Sequence, residues 1–224
     1  MIRSGERDRS LYTRLLDNAF DRALALDGKA SAATLAMTGM SGRSYRTLIN
    51  NLVASVPDAR YLEIGSWMGS TACAVMDGNA VRIVCIDNWS QFDGPKDAFL
   101  ANTAACISAH VRFSFIESDF RKVDYAGIGR FNIYLFDGPH SPQDHFDGVA
   151  MPLVALDHEF VFIVDDWNWE GVRYGTLQAL RAAGLRVLYS IEIRTTQDGT
   201  HAALAQQASD WHNGYFIAVL RQAH

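Results

Sequence analysis

The 224-residue chain has a mass of 24.8 kDa, a net charge of −5 and a pI of about 5.8. These values fit one ordinary globular domain and offer no basic surface for nucleic acid or an anionic membrane. No apolar run reaches the roughly 18 residues that a membrane span needs, and the first ten residues lack the apolar centre of a signal peptide. Three scattered cysteines define neither a disulfide framework nor a zinc site. We therefore expect a cytoplasmic protein.

Two amphipathic helices are predicted in the first quarter of the chain. Residues 11–26 carry apolar side chains at three- and four-residue spacing, and residues 45–56 do so again. The segment between them, 27–44, is rich in small residues and is predicted to be a loop with one short helix. We interpret residues 1–58 as an N-terminal helical cap and residues 59–224 as the core domain.

From residue 60 onward, short apolar runs alternate with helical stretches. This alternation is typical of an α/β, Rossmann-like, mostly parallel sheet with helices on both faces. The stretch before the final run has no helical period, so the last strand is predicted to lie antiparallel to its neighbour after a long loop. The seven predicted strands are 61–65, 81–87, 111–118, 131–138, 159–166, 185–193 and 214–220, with helices near 70–77, 96–109, 142–155 and 170–183.

Acidic residues occur where five of the predicted strands end. In an open parallel sheet the carboxyl ends of the strands form the ligand crevice. Carboxylates gathered there repel one another unless a cation or hydroxyl groups lie between them. Helix capping would explain one or two of these acids but not the whole set. In chain order they are Glu63, Asp87, Asp119, Asp137, and Asp165 with Asp166.

The stretch Glu63-Ile-Gly65-Ser-Trp-Met-Gly69 joins the first core strand to a helix. It lacks the third glycine of a dinucleotide fingerprint, so the loop alone does not identify a ligand. Asp87, 24 residues after Glu63, is placed to accept hydrogen bonds from a ribose. Glu63 would repel a pyrophosphate but would attract a ligand that carries an amine and a sulfonium. This favours an adenosylmethionine enzyme and leaves a nicotinamide dehydrogenase as an alternative.

Together with the strand-end acids, this stretch resembles the class I S-adenosylmethionine-dependent methyltransferases over residues 60–220. More narrowly, DGPH at 137–140 with VDDW at 164–167 is similar to metal-dependent O-methyltransferases that act on sugar hydroxyls of macrolide-type (macrocin or mycinose) natural products. The chain departs from the general motif at Trp67, where the family often has a glycine.

The resemblance implies a role for each motif residue, with S-adenosyl-L-methionine and Mg²⁺ as cofactors. His140 would be the catalytic base, and the metal ligands would be Asp137, Asp165 and Asp166. Glu63 and Gly65 would contact the methionine part of the cofactor, Asp87 its ribose and Asp119 its adenine. The full set of expected cofactor-binding residues is Glu63, Gly65, Ser66, Gly69, Asp87, Trp89, Asp119 and Asp137.

These residue types suit methyl transfer to a hydroxyl. Mg²⁺ prefers oxygen ligands and lowers the pKa of a bound hydroxyl, and vicinal hydroxyls of a sugar or a catechol would complete its octahedron. Imidazoles in general exchange protons near neutral pH, which suits His140 to the role of base. The alternative is structural: His140 would be a turn residue, and Asp165 with Asp166 would cap the following helix.

The sequence therefore predicts a Mg²⁺-dependent O-methyltransferase that acts on a hydroxyl of a small molecule, with a sugar of a natural product among the candidates. A catechol-type O-methyltransferase and a non-catalytic nucleoside-ligand binding protein are the alternatives. We expect the acceptor pocket to be formed by residues 27–44 and 194–213. The expected partners are a small hydroxylated acceptor and further copies of the chain, with neither nucleic acid nor membrane.

Overall fold

One eight-stranded sheet runs through the centre of the molecule, in a computed structural model that describes residues 1–223. Seven of its strands match the predicted apolar runs, with ends that differ by up to three residues. In chain order the strands are β1 (Ile2–Gly5), β2 (Arg60–Ile64), β3 (Val81–Asp87), β4 (Val111–Glu117), β5 (Phe131–Phe136), β6 (Leu156–Val164), β7 (Arg186–Ile193) and β8 (Tyr215–Arg221).

The strand order across the sheet is β1-β7-β8-β6-β5-β2-β3-β4. Strands β2 to β7 run in one direction, and β8 lies antiparallel between β6 and β7. The Rossmann-like α/β arrangement with an antiparallel last strand is therefore confirmed. The structure adds an eighth strand, β1, to the seven that the sequence predicts.

Strand β1 lies before the first predicted helix, in the segment 1–58 that was interpreted as a helical cap. Its four residues, IRSG, are all exposed and have no apolar alternation, so the sequence carries no strand signal there. It pairs antiparallel with β7. Arg3 also lies 2.7 Å from the buried carboxylate of Asp17, and Arg7 lies 2.9 Å from the same carboxylate. Long-range pairing therefore determines this strand.

Helices cover both faces of the sheet, as predicted. Each lies close to a helical stretch inferred from the sequence, and the short helix expected within residues 27–44 is present. No helix among residues 1–223 has the length and apolar character needed to cross a bilayer. The α-helices are α1 (Leu11–Leu24), α2 (Ala32–Ala36), α3 (Arg43–Ser55), α4 (Ser70–Met76), α5 (Lys96–Cys106), α6 (Pro142–Ala150) and α7 (Glu170–Ala182).

The sheet separates two hydrophobic clusters. Helices α1, α3, α4 and α5 pack on one face, and α6 and α7 pack on the other. Leu16 and Phe20 of α1 belong to the same cluster as the core strands, so the N-terminal helices are continuous with the core. The domain boundary at residue 58 stays a prediction.

The chain reverses its strand order at β2. One neighbour of β2 is β3, reached through α4, and the other is β5, which continues through α6 on the opposite face. Because the connections leave on opposite faces, a crevice opens between the carboxyl ends of β2 and β5. This is where the strand-end acids were expected to meet.

Candidate active site

A cavity of about 440 Å³ lies at the carboxyl ends of the parallel strands. This volume is within the range of small-molecule sites, roughly 300–1,000 Å³. The expected functional residues that line it are Gly65, Asp87, Trp89, Asp119, Asp137, His140, Asp165 and Asp166, whereas Glu63, Ser66 and Gly69 lie outside the lining.

Gly65 forms the floor of the crevice where β2 meets β5. Its φ angle is +87°, and a Cβ atom at this position would lie 1.7 Å from the carbonyl oxygen of Asp137. No other residue type fits this contact without moving one of the two strand ends. The backbone approach therefore keeps the cavity open beside Asp137.

Asp87 holds the loop after β2 in its conformation. Its Oδ2 accepts hydrogen bonds from the backbone N–H groups of Ser66 (2.8 Å) and Trp67 (2.9 Å), and its Oδ1 accepts one from Trp89 N–H (2.7 Å). Trp67 has a φ angle of +44°, in the left-handed region that favours glycine. The Asp87 bonds explain how a tryptophan occupies the position where the resembled family often has glycine.

Glu63 is fully buried beneath the cavity. Its Oε2 accepts a hydrogen bond from the Tyr61 hydroxyl at 2.8 Å, because alternate residues of a strand share one face. Burial raises the pKa of Glu63 to about 7. The structure therefore places this acid below the floor, where its charge acts on the cavity through the protein interior.

Two acids at the ends of neighbouring strands, Asp137 and Asp165, have no lysine or arginine partner among the described residues. Burial raises the pKa of Asp137 well above its usual value, and repulsion from Asp166 and Glu63 raises it further. Burial and the charge of Asp137 raise the pKa of Asp165 in the same direction. A cation in this cavity would relieve both effects.

Asp166 differs from these two acids. Burial alone would raise its pKa, but hydrogen bonds from His140 and Asn213 outweigh burial and lower that pKa below its usual value. Nε2 of His140 lies 2.8 Å from Oδ2, and Nδ2 of Asn213 lies 2.8 Å from Oδ1. The site therefore contains one carboxylate with a lowered pKa beside a histidine and two carboxylates with raised pKa values.

The grouping that best suits a metal ion contains Asp137, His140 and Asp166, each with one ligand atom within 4.8 Å of the others. The sequence-based ligand set has Asp165 where this group has His140. The backbone N–H of Asp166 donates to Oδ1 of Asp165 at 2.7 Å, which fixes the orientation of that carboxylate. The oxygens of Asp137 and Asp165 would suit a divalent cation, which would lower their raised pKa values, and Asp166 lies beside them.

Two segments without a clear pattern contribute the rest of the cavity wall. Met40 comes from a loop whose backbone oxygens at Met37 (2.6 Å) and Gly39 (3.2 Å) accept hydrogen bonds from buried Arg46. The β7–β8 loop, residues 194–214, brings the second group to the cavity: His201, Ala205, Gln206, His212 and Asn213.

Sequence reasoning did not find the roles of Asn213, His201 or Met40 in this wall. Each lies in a loop without periodicity, in one of the two segments, 27–44 and 194–213, that were expected to form the acceptor pocket. Trp169 also lines the cavity, with its ring packed edge-on against His140 at 4.7 Å between centroids.

The fold is shared with solved structures, among them two O-methyltransferases. Cofactor-bound Rv0187 from MTB has a TM-score of 0.58 and 13% identity, and the alignment covers 96% of this chain and 94% of that chain. The O-methyltransferase from Bacillus cereus, in complex with SAH, has a TM-score of 0.57 and 14% identity, and the alignment covers 93% of this chain and 91% of that chain. TomG from Streptomyces achromogenes is an O-methyltransferase involved in tomaymycin synthesis, solved in complex with SAM. It has a TM-score of 0.54 and 15% identity, and the alignment covers 93% of this chain and 90% of that chain.

These likenesses confirm that the chain has the class I methyltransferase fold that the sequence resemblance implied. No protein-family model matches the chain. No curated protein matches it either.

Substitution of Gly65 by alanine tests the close approach of β2 and β5. We expect Gly65→Ala to lower the free energy of unfolding by at least about 3 kcal/mol, because overlap with the Asp137 carbonyl adds to backbone strain. Gly184→Ala is the matched control, since Gly184 also has a positive φ, +62°, but faces open space. That control should cost about 1 kcal/mol in urea unfolding. Equal losses in the two variants would contradict the close contact.

Burial of Glu63 predicts a pH dependence of stability. The pKa of Glu63 is about 7 in the folded protein, whereas an ordinary glutamate, as in the unfolded chain, has a pKa of 4.5. Between these pH values the folded protein therefore binds more protons than the unfolded chain. Stability should therefore fall as the pH rises from about 5 to 8. Glu63→Gln should remove up to about 3 kcal/mol of that fall. Urea unfolding between pH 5 and 8 measures this change in the free energy of unfolding, with Glu6→Gln at an exposed position as the control. If the free energy of unfolding of Glu63→Gln fell with pH as steeply as that of the wild type, the raised pKa of Glu63 would be contradicted.

Proposed function

We propose that the protein is an S-adenosylmethionine-dependent O-methyltransferase that uses Mg²⁺ and acts on a hydroxyl of a small molecule, with a sugar of a natural product among the candidate acceptors. The observation that carries the proposal is the meeting of Asp137, Asp165 and the His140–Asp166 pair in one cavity beside Gly65. A cytoplasmic location and a homo-oligomeric state belong to the proposal and rest on the sequence expectations alone.

The cavity supports binding of a cationic nucleoside. Gly65 leaves space beside the Asp137 backbone, and Trp89 and Asp119 line the part of the cavity next to β3 and β4. The acids supply the negative charge that a sulfonium and an amine would neutralise. When bound, S-adenosylmethionine supplies the methyl carbon: the acceptor oxygen forms a C–O bond as the C–S bond breaks and leaves its electron pair on sulfur.

The opposite wall supports binding of the acceptor. Trp169, His140 and His201 are in ring contact there, and the rings together form a partly apolar surface next to the acids. His140 takes the acceptor proton, and Asp166 stabilises the resulting imidazolium. When bound to Asp137, Asp165 and Asp166, Mg²⁺ would lower the pKa of the acceptor hydroxyl and fix its position. Alignment of the two reactants in such a site lowers the activation barrier by up to roughly 7–11 kcal/mol.

Replacement of the base should separate binding from turnover. We expect His140→Gln to bind S-adenosylhomocysteine within about twofold of the wild-type affinity while turnover falls by about 10²- to 10⁴-fold, because proton removal is lost. Methyl gain in metabolite extracts, followed by mass spectrometry, identifies an acceptor for this assay. Exposed His110→Gln is the control. Turnover at the wild-type rate in His140→Gln would remove this histidine from the mechanism.

Calorimetry tests the metal and the cofactor without the acceptor. We expect S-adenosylhomocysteine to bind, and Mg²⁺ to bind the complex with a heat that Asp137→Asn removes, because the metal would lose a charged ligand. Asp93→Asn is the matched control, since Asp93 is an exposed acid outside the cavity lining. Cofactor binding without Mg²⁺ binding would support a metal-free enzyme. Stabilisation by NAD in place of both ligands would support a dehydrogenase.

A further inference from the structure

The segment after β3, residues 88–94, forms one side of the cavity with a strained backbone. Phe92 is a large apolar residue, yet 54% of it is exposed. Its φ angle is +52°, and Trp89 (+48°) and Asp93 (+64°) also have left-handed backbones, which are uncommon for residues with side chains. Such conformations persist where neighbouring groups hold them, and they cluster at ligand sites. The cavity-lining residues of this segment are Asn88, Trp89, Ser90, Gln91 and Phe92.

The start of this segment is anchored in the protein core. The ring of Trp89 packs against Phe99 of α5, with 5.1 Å between the ring centroids. Its indole Nε1–H donates a hydrogen bond to the carbonyl oxygen of Trp67 at 3.0 Å, and its backbone N–H donates to Oδ1 of Asp87 at 2.7 Å. Trp89 is therefore fixed both by the hydrophobic core and by the loop that follows β2.

The tip of the segment, residues 90–93, is joined to the rest of the chain by the side chain of Trp67. The indole Nε1–H of Trp67 donates to the carbonyl oxygen of Phe92 at 3.1 Å. Within residues 1–223 this is the only hydrogen bond between the tip and residues outside the segment 88–94, because the remaining bonds of the tip stay within the segment. The backbone of Trp67 is itself held by Asp87. The indole of Trp67 therefore determines the position of the tip.

We propose that Trp67 is a positioning residue for the adenosine part of the cofactor: its indole N–H holds the tip so that the Phe92 ring covers the nucleoside. The inference rests on the proposed methyl transfer, in which a nucleoside occupies the cavity that Asp87, Trp89 and Phe92 border. An aromatic ring buries a large apolar area against the face of a purine. The exposed Phe92 ring thus gains its apolar contact when the nucleoside binds, and the bond from Trp67 keeps the ring in place beforehand.

A purely structural role for Trp67 makes a different prediction. Its φ angle of +44° lies in the left-handed region, which glycine adopts without steric cost. If the side chain only fills the loop after β2, Trp67→Gly should relieve backbone strain and leave nucleoside binding unchanged. If the indole holds the tip, Trp67→Gly should weaken nucleoside binding whatever its effect on stability.

The test compares Trp67→Phe with Trp211→Phe. Trp67→Phe keeps an aromatic ring but removes the N–H donor. Trp211→Phe makes the same change in a ring that packs on Phe20 at 5.3 Å between centroids, outside the cavity lining. Calorimetry measures the affinity for S-adenosylhomocysteine and for 5′-methylthioadenosine, a nucleoside that lacks the amino-acid part. Thermal unfolding checks that each variant is folded, and Trp67→Gly serves as the second variant at this position.

We expect Trp67→Phe to weaken binding of both nucleosides by the same factor, about 3- to 10-fold, because one hydrogen bond and the ring position that it fixes are lost. Trp67→Gly should weaken binding at least as much, and Trp211→Phe should bind within about twofold of the wild type. In a Phe92→Ala background, Trp67→Phe should cost less than about twofold, since the ring that Trp67 positions is absent.

Wild-type affinity in both Trp67 variants would overturn the proposal, as would the full loss from Trp67→Phe in the Phe92→Ala background. An equal loss in Trp211→Phe would also overturn it. If the wild type binds 5′-methylthioadenosine but transfers no methyl group, the proposed function fails, while the affinities still decide the role of Trp67. If the wild type binds neither nucleoside, both proposals fail.

Discussion

Electrostatic repulsion at one end of the sheet is the constraint on which the site depends. Glu63, Asp137 and Asp165 end up together because β2, β5 and β6 are adjacent and parallel. Within the described residues, no lysine or arginine pairs with these three carboxylates. The fold therefore keeps buried carboxyl groups without a cationic partner, and binding of a cationic ligand to them would stabilise the folded state.

The acids differ in their roles because their hydrogen-bond partners differ. Asp87 accepts three backbone bonds and shapes the loop that borders the cavity. Asp137 and Asp165 keep raised pKa values through burial and mutual repulsion. The pKa of Asp166 is lowered in spite of burial, because His140 and Asn213 hydrogen-bond to its carboxylate. One sheet edge thus provides both a site that favours positive charge and a carboxylate that contacts His140.

The sequence predicts the core of the fold because apolar runs alternate with helical stretches there. It also predicts that the strand-end acids converge, since the carboxyl ends of parallel strands meet at one edge. Strand β1 was not predictable, because its exposed residues gain their order from backbone pairing with β7. The burial of Glu63 depends on how helices pack against its face of β2, and the sequence of the strand alone does not predict that packing.

The loop residues of the site were not predictable for a related reason. Asn213 reaches Asp166 across 47 positions of sequence, and its orientation depends on Ala202 within the same loop. The left-handed backbone at Trp67 depends on two hydrogen bonds from residues of the loop to Asp87. Local sequence patterns predict neither the contact of Asn213 with Asp166 nor the contacts of the loop with Asp87, since each joins residues that only the folded sheet brings together.

A crystal structure of the protein with S-adenosylhomocysteine and Mn²⁺, recorded at the manganese absorption edge, tests the central claim most directly. We predict that the nucleoside lies against Gly65 and that one anomalous peak lies among the carboxylates that follow β5 and β6. An empty cavity at saturating concentrations of both ligands, or a nucleoside and metal bound away from these strand ends, would contradict the account.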